Sequence, residues 1–294
     1  MHTPYDGSSR LFTISARPIA LDAWIEVDDM LPGYLDEKAR LFEARPDDVF
    51  AAEGGTEAAQ AEVLTLLVEH LAARFPEAYR RIGDTIEIVP TMQRVRLNDP
   101  ALPPLRIAAS MVAEDLVIMR RVDEGWRLAA AALCFPSSWR LSEKLGRPIH
   151  EVHAPVPGFG AGTRNADLIS RMFDAMRPET PMLRWNWSAY GDDALFHPHD
   201  SPPQRFGAGA RADPVFLRVE RQTLRKLPLS GDILFAIGIH VDPLETMERH
   251  PEAGRIAAAL MAQLTGLDDA QLAYKGLTLE RERLLARLRE MAER

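Results

Sequence analysis

Five strand-like stretches lie together in the middle of this 294-residue chain, with helical periodicity only outside them. Residues 116–121 and 126–135 flank Asp123-Glu124-Gly125 and read as a β-hairpin. Residues 182–190, 215–224 and 232–241 are three further strand-like segments. Helices do not alternate with single strands along the chain, so a doubly wound parallel sheet is disfavoured and an α+β fold is expected. Around that block, Val63, Leu64, Leu67, Val68 and Leu71 recur at three- and four-residue spacing and predict a helix over residues 57–75. Thr56 stands where an N-cap belongs and Pro76 where a helix must stop. Residues 105–111 read as a short helix and 165–176 as an amphipathic one. Residues 251–294 read as helical, interrupted near Gly266 and Gly276. Residues 1–55 read as irregular, broken by Pro18, Pro32, Pro46 and the pair Gly54-Gly55. Residues 191–213, with three prolines and three glycines, predict a long loop: a lid, a partner contact, a disordered stretch or a plain surface excursion.

Composition narrows the function classes. An apolar fraction of 46% supplies a core without disulfides or structural metal. The net charge of −8 disfavours general nucleic-acid binding, which needs a positive field. The single cysteine, Cys134, excludes an internal disulfide, a CxxC metal or redox site and C-x-x-C-H haem attachment, and fits a reducing cytoplasm. No secretory leader is read at the N-terminus, and no uncharged apolar run reaches the roughly 18 residues of a membrane span.

Several residues are candidates for chemistry. His153 opens the rigid run His153-Ala154-Pro155-Val156-Pro157, where two prolines fix the backbone. That context suits an axial metal ligand held in one geometry, and equally a turn histidine with a hydrogen-bonded ring. His150 reads as a surface residue. A zinc set drawn from His150, His153, His197 and His199 is a further option, though no helical HExxH is present. In Arg184-Trp185-Asn186-Trp187-Ser188, strand alternation puts Arg184, Asn186 and Ser188 on one face and the tryptophans on the other. Arg221 shares its face with Leu217, Val219 and Thr223, so it must meet an anion: Glu220 or another carboxylate of the chain, or a carboxylate or phosphate of a ligand such as a haem propionate. Arg218 and Arg225 read as solvated. His240 shares a face with Ala236 and Gly238, whose small size leaves room beside the sheet, and it is a second candidate ligand or an ordinary strand-end histidine. Glu114 and Asp115 are a possible amine-binding or basic pair, or a solvated helix end.

Taken in order, these strings resemble one family. They are Val112-Ala113-Glu114-Asp115-Leu116, Cys134-Phe135-Pro136-Ser137-Ser138-Trp139, Glu143-Lys144-Leu145-Gly146, the His153 run and the Arg184 run. The longest is Arg218-Val219-Glu220-Arg221-Gln222-Thr223-Leu224-Arg225-Lys226-Leu227-Pro228, followed by Ser230-Gly231. Over about residues 34–275 the chain resembles the haem-dependent oxidative N-demethylase alpha-subunit family. The resemblance implies one unit over residues 1–294: a PAS-like antiparallel sheet with helical extensions at both ends, binding haem b noncovalently. It implies His153 as proximal ligand to the iron, with Arg221, Arg184 and Trp187 as further haem contacts. Glu114, Asp115 and His240 are candidate catalytic groups on their residue context alone, His240 lying in the segment that departs from the family and so placed on the distal side near bound O₂. The implied activity is oxidative demethylation of a small secondary amine such as dimethylamine, consuming O₂ and releasing formaldehyde. NADPH, FMN and iron–sulfur centres would belong to separate reductase subunits. A different class, a PAS-like haem sensor or carrier without turnover, is the alternative, and a PAS-like protein without haem is a third. One segment departs from the family's pattern: Phe235-Ala236-Ile237-Gly238-Ile239-His240 replaces a strand ending Thr-Ile-Arg-Thr-Tyr.

Overall fold

A computed structural model describes residues 2–198 and 200–293; His199 and the terminal Met1 and Arg294 lie outside the described residues. The chain begins with β1 (Arg17–Pro18), α1 (Leu31–Ala44), α2 (Pro46–Val49), β2 (Phe50–Ala52) and α3 (Glu57–Arg74). A small sheet follows, β3 (Tyr79–Ile82), β4 (Thr85–Ile88) and β5 (Gln93–Arg96), then α4 (Pro104–Ala109). The hairpin is β6 (Asp115–Val122) and β7 (Gly125–Ala132). Next come α5 (Leu141–Lys144), α6 (Ile149–Val152) and α7 (Arg164–Ala175). The long strands β8 (Met182–Tyr190), β9 (Phe216–Lys226) and β10 (Ile233–Pro243) precede α8 (Leu244–Glu248), α9 (Ala253–Thr265), α10 (Asp269–Lys275) and α11 (Arg281–Ala292). The class is α+β. Among the described residues, no helix is long and apolar enough to cross a membrane.

The main sheet has seven strands in the order β1-β8-β9-β10-β6-β7-β2, every neighbour antiparallel. Register fixes which side chains share a face. Arg184, Gln222, Ile237 and Asp115 are paired in one row across β8, β9, β10 and β6. Trp185, Arg221 and Gly238 form the next row and point the other way. On the Arg184 face, Val117, Met119, Leu224 and Ile233 pack under α7, which contributes Ile169 and Phe173. On the opposite face, Leu116, Ile118, Leu234 and Ala236 pack under α1, α3 and α4. Farther along that face, Trp187, Leu217 and Val219 meet α9 and α11 through Leu260, Leu264 and Leu288. Each fully buried aliphatic side chain in these layers contributes about 1.5–3 kcal/mol.

Residues 2–30 are largely irregular, as expected, with only β1 and a single 3-10 turn at Leu21–Ala23, but residues 31–52 are not. α1 buries Leu31, Tyr34, Leu35, Lys38, Leu41 and Phe42 along one side. Pro32 does not break it, because a proline in the first turn has no intrahelical hydrogen bond to lose. A lysine in the middle of the buried stripe hides the periodicity. Its ammonium donates to the carbonyls of Ala109, Val112 and Glu114 and stands 4.0 Å from the Asp115 carboxylate. Lys38 thereby ties α1 to the start of β6. Thr56 does occupy the N-cap of α3, but its hydroxyl donates to Glu53 O (2.7 Å) and accepts from Gln60 rather than capping a backbone amide.

The described part of the 191–213 stretch runs largely over the surface but is tied down at several points. Gly191 N donates to Gln204 O, and the Asp192 carboxylate accepts from Gln204 N at 2.6 Å. The approach is so close that a Cβ on Gly191 would lie 2.2 Å from Arg205 O. Arg218 anchors the middle of the stretch at Leu195 O, and Arg287 its end at Ala212 O and Asp213.

Candidate haem pocket and the opposite face of the sheet

A pocket of about 460 Å³ of empty space, open solvent at its mouth included, lies between the Arg184 face of the sheet and helices α6 and α7. Its walls are mostly apolar, among them Met119, Phe159, Phe173, Leu224 and Phe235. Two polar side chains line it, His153 and Arg184.

His153 is the C-cap of α6, and its amide donates to Ile149 O at 3.0 Å. The four-residue helix starts after Pro148 and gives way to the proline-bearing segment, so the imidazole is fixed from both sides. The ring packs edge-on to Phe159 at 6.1 Å, and its Nδ1 is buried with no hydrogen-bond partner. Burial, together with the positive charges of Arg184 and Lys144, pushes its pKa down to about 4, so the ring is neutral at physiological pH. Arg184 projects from β8, with a buried Nε that also lacks a partner. Burial lowers its pKa, with Glu220 and Tyr274 opposing at longer range.

A polar wall continues along the same face. Asn186 and Gln222 both donate to Glu220 Oε2, at 3.1 and 2.7 Å. Lys275, from α10, donates to Asn186 Oδ1 at 2.9 Å and to Trp187 O at 2.6 Å, and burial lowers its pKa to about 8. Gln222 and Lys275 were not expected here, and Glu220, a candidate partner for Arg221, faces away from it on the Arg184 side. Strand alternation carried the signal for Glu220 and Gln222, since both share the face of Arg184.

The other sequence candidates lie elsewhere. Trp187 is buried in the core under the C-terminal helices, and its indole donates to Gln263 at 3.0 Å. Arg221 is 4% exposed, as its apolar face requires, and the anion it meets is Glu26, with Nε 2.9 Å from Oε1. It also donates to Trp24 O at 3.1 Å and to Ala23 O. Glu114 and Asp115 do not converge. Asp115 accepts from the amides of Cys134 and Phe135, both at 2.8 Å. Glu114 instead lines a small pocket that holds Glu26, Gly238 and His240, and burial raises its pKa. Arg218 and Arg225 are not solvated. Arg218 is 1% exposed and donates to Phe135 O at 2.7 Å, and Arg225 lies over the Trp24 ring at 4.3 Å.

The zinc set is not assembled. Among the described residues, no group of three metal-capable side chains forms around His150 and His153. His197 is buried and stands 3.1 Å from the Asp192 carboxylate.

A neutral histidine and an arginine with an unpartnered Nε in one apolar pocket suit a mostly hydrophobic ligand that carries a metal and acidic groups. The histidine's orphaned nitrogen is free for a metal, and the arginine's for a carboxylate. The pocket's donor set therefore fits a haem. One family model covers this whole region, matching residues 15–285 under the description haem-dependent oxidative N-demethylase, alpha subunit-like. Both pocket residues and all seven strands of the main sheet fall inside that match, and the chain belongs to this family.

Proposed function

We propose that the chain binds haem b noncovalently in the His153–Arg184 pocket and oxidatively demethylates a small secondary amine. The observation that carries the reading is the pairing of two unpartnered nitrogens, His153 Nδ1 and Arg184 Nε, within one apolar cavity. His153 would hold the haem through its metal and Arg184 through an acidic side group. Bound there, the haem supplies the redox chemistry with O₂. The apolar walls give the ligand's ring a nonpolar surround, and the neutral imidazole needs no deprotonation before it ligates. Glu220, held by Asn186 and Gln222, offers a carboxylate on the pocket's face for an alkylammonium. For dimethylamine the balance is one amine, one O₂, one NADPH and one proton giving methylamine, formaldehyde, water and NADP⁺.

The electrons would come from reductase subunits carrying NADPH, FMN and iron–sulfur centres in a reducing cytoplasm. The alpha-subunit description of the family supports a multi-subunit assembly. A PAS-like reading of the main sheet, with the chain taken as one unit, draws on the order of its five central strands. Counted from β6 in chain order they run second, first, fifth, fourth, third, with the pocket helices inserted between second and third.

Purified protein supplemented with haem is expected to show a Soret band that acidified organic solvent extracts completely. His153→Ala is expected to lose that spectrum and exogenous imidazole to restore part of it, while His240→Ala keeps it. A protein that stays colourless after supplementation refutes the proposal. Amine-dependent, NADPH-driven O₂ consumption with a reductase partner separates the demethylase from a haem sensor or carrier.

A further inference from the structure

On the face opposite the haem pocket, three side chains from distant parts of the chain converge. His240 stands on β10, Glu26 lies in the segment before α1, and His2 lies near the start of the chain. Their ligand-type atoms all fall within 4.8 Å of one another. Both imidazoles aim Nε2 at the same oxygen, Glu26 Oε2, His2 from 3.1 Å and His240 from 3.5 Å. The two rings meet edge to face, 4.5 Å between centroids. Arg221 holds the other carboxylate oxygen from 2.9 Å, and a carboxylate pinned in this way has a fixed direction. Two imidazoles and one carboxylate form a donor set that first-row divalent ions such as zinc accept, with a fourth position left for water.

A second observation at the same place points to a ligand. Glu114 is 3% exposed and lines the small pocket with Glu26, Asp28 and His240. Its Oε1 accepts from Glu26 N at 3.0 Å, while its Oε2 is buried with no hydrogen-bond partner. A buried carboxylate oxygen without a donor is costly. A metal-bound water is a strong donor of the size this pocket admits. Asp28 and Glu114 also add acidic groups that balance Arg221. Gly238 keeps the floor open, because a Cβ there would already touch Glu114 Cγ at 3.6 Å.

We propose that His2, Glu26 and His240 bind a divalent transition-metal ion of the zinc class, with a metal-bound water turned toward Glu114. The ion joins residue 2 to residue 240 and clamps the N-terminal segment onto β10. The site is independent of the haem pocket, which lies across the sheet.

The test uses untagged full-length protein, stripped with a chelator and dialysed. Zn²⁺ affinity is read by competition with a chromophoric chelator, and Co²⁺ by its visible ligand-field bands. One ion per chain is expected, with the intensity of a four- or five-coordinate cobalt site. His2→Ala and His240→Ala should each weaken Zn²⁺ binding at least about 10-fold. Because His2 lies outside the helices and strands, its variant keeps the fold, which circular dichroism checks. His153→Ala should leave Zn²⁺ binding at wild-type strength, and this separates the site from the haem pocket. Wild-type protein that takes up no Zn²⁺ or Co²⁺ overturns the proposal. So does a His2→Ala variant that binds as tightly as wild type, or a His153→Ala variant that alone abolishes binding.

Discussion

Replacing Arg184 with leucine should weaken haem binding without weakening the fold, and the structure says why. Without haem, the guanidinium stands in an apolar pocket with its Nε unpartnered, and burial already disfavours its charge. Such a group costs the haem-free protein free energy. Leucine fills the same apolar wall at no such cost, so the variant's unfolding midpoint in urea should equal or exceed that of wild type. With haem present the sign reverses. A hydrogen bond to a charged group contributes about 1.5–3 kcal/mol. At about 1.4 kcal/mol per decade, its loss corresponds to roughly 10- to 100-fold weaker haem binding. The assay is a Soret titration of haem-free protein beside urea unfolding of the same preparations. Arg221→Leu is the control and should behave in the opposite way. It strips Glu26 of its guanidinium partner and leaves the carbonyls of Ala23 and Trp24 unpaired, so it should destabilise the fold by about 3–5 kcal/mol. Haem affinity should change little, since Arg221 faces away from the pocket. The reasoning is refuted if Arg184→Leu binds haem as tightly as wild type, or loses more than about 1 kcal/mol of haem-free stability.

Three further outcomes are expected. Lys38→Met should cost about 3–5 kcal/mol in urea unfolding, because it leaves three carbonyls and the Asp115 carboxylate without their cation; a loss under about 1 kcal/mol would show that Lys38 does not hold α1 to β6. His70 packs on Trp24 at 5.3 Å, and burial with the charges of Arg225 and Arg74 lowers its pKa from 6.5 to about 4. The unfolded chain therefore binds the extra proton between those values, so stability should rise with pH from about 4 to 6.5 and level off above; His153 adds to the same rise, and His70→Phe should make it shallower. Gly191→Ala should lower the melting temperature, since its Cβ would meet Arg205 O at 2.2 Å; an unchanged melting temperature would show that the loop closure yields freely.

The sheet was legible because alternation is a local signal. The bounds of β8 coincide with the stretch read from sequence, and the hairpin and both remaining strands fall within a few residues of their expected positions. α1 was not legible, because its buried stripe contains a lysine whose partners lie more than 70 residues away. The small β3–β5 sheet was hidden for a related reason. Strands such as Tyr79–Ile82 and Gln93–Arg96 carry arginines on their exposed side and bury little. At the site, the local rigidity around His153 and the face of Arg184 could both be read. Alternation also put Arg221 on a buried face, which is where it lies. It could not name the anion, because Glu26 is 195 positions earlier in the chain and nothing local announces the pairing.

That separation has a consequence for synthesis. Arg221 donates to the carbonyls of residues 23 and 24, so the N-terminal segment cannot settle on the sheet until β9 has been made. At about 5–20 residues per second, the ribosome needs roughly 10–40 s to cover that distance. Throughout that interval the segment lacks the Arg221 contacts at residues 23 and 24, and Trp24 lacks Arg225 over its ring. The segment that seals one side of the sheet is thus made first and docked only after β9.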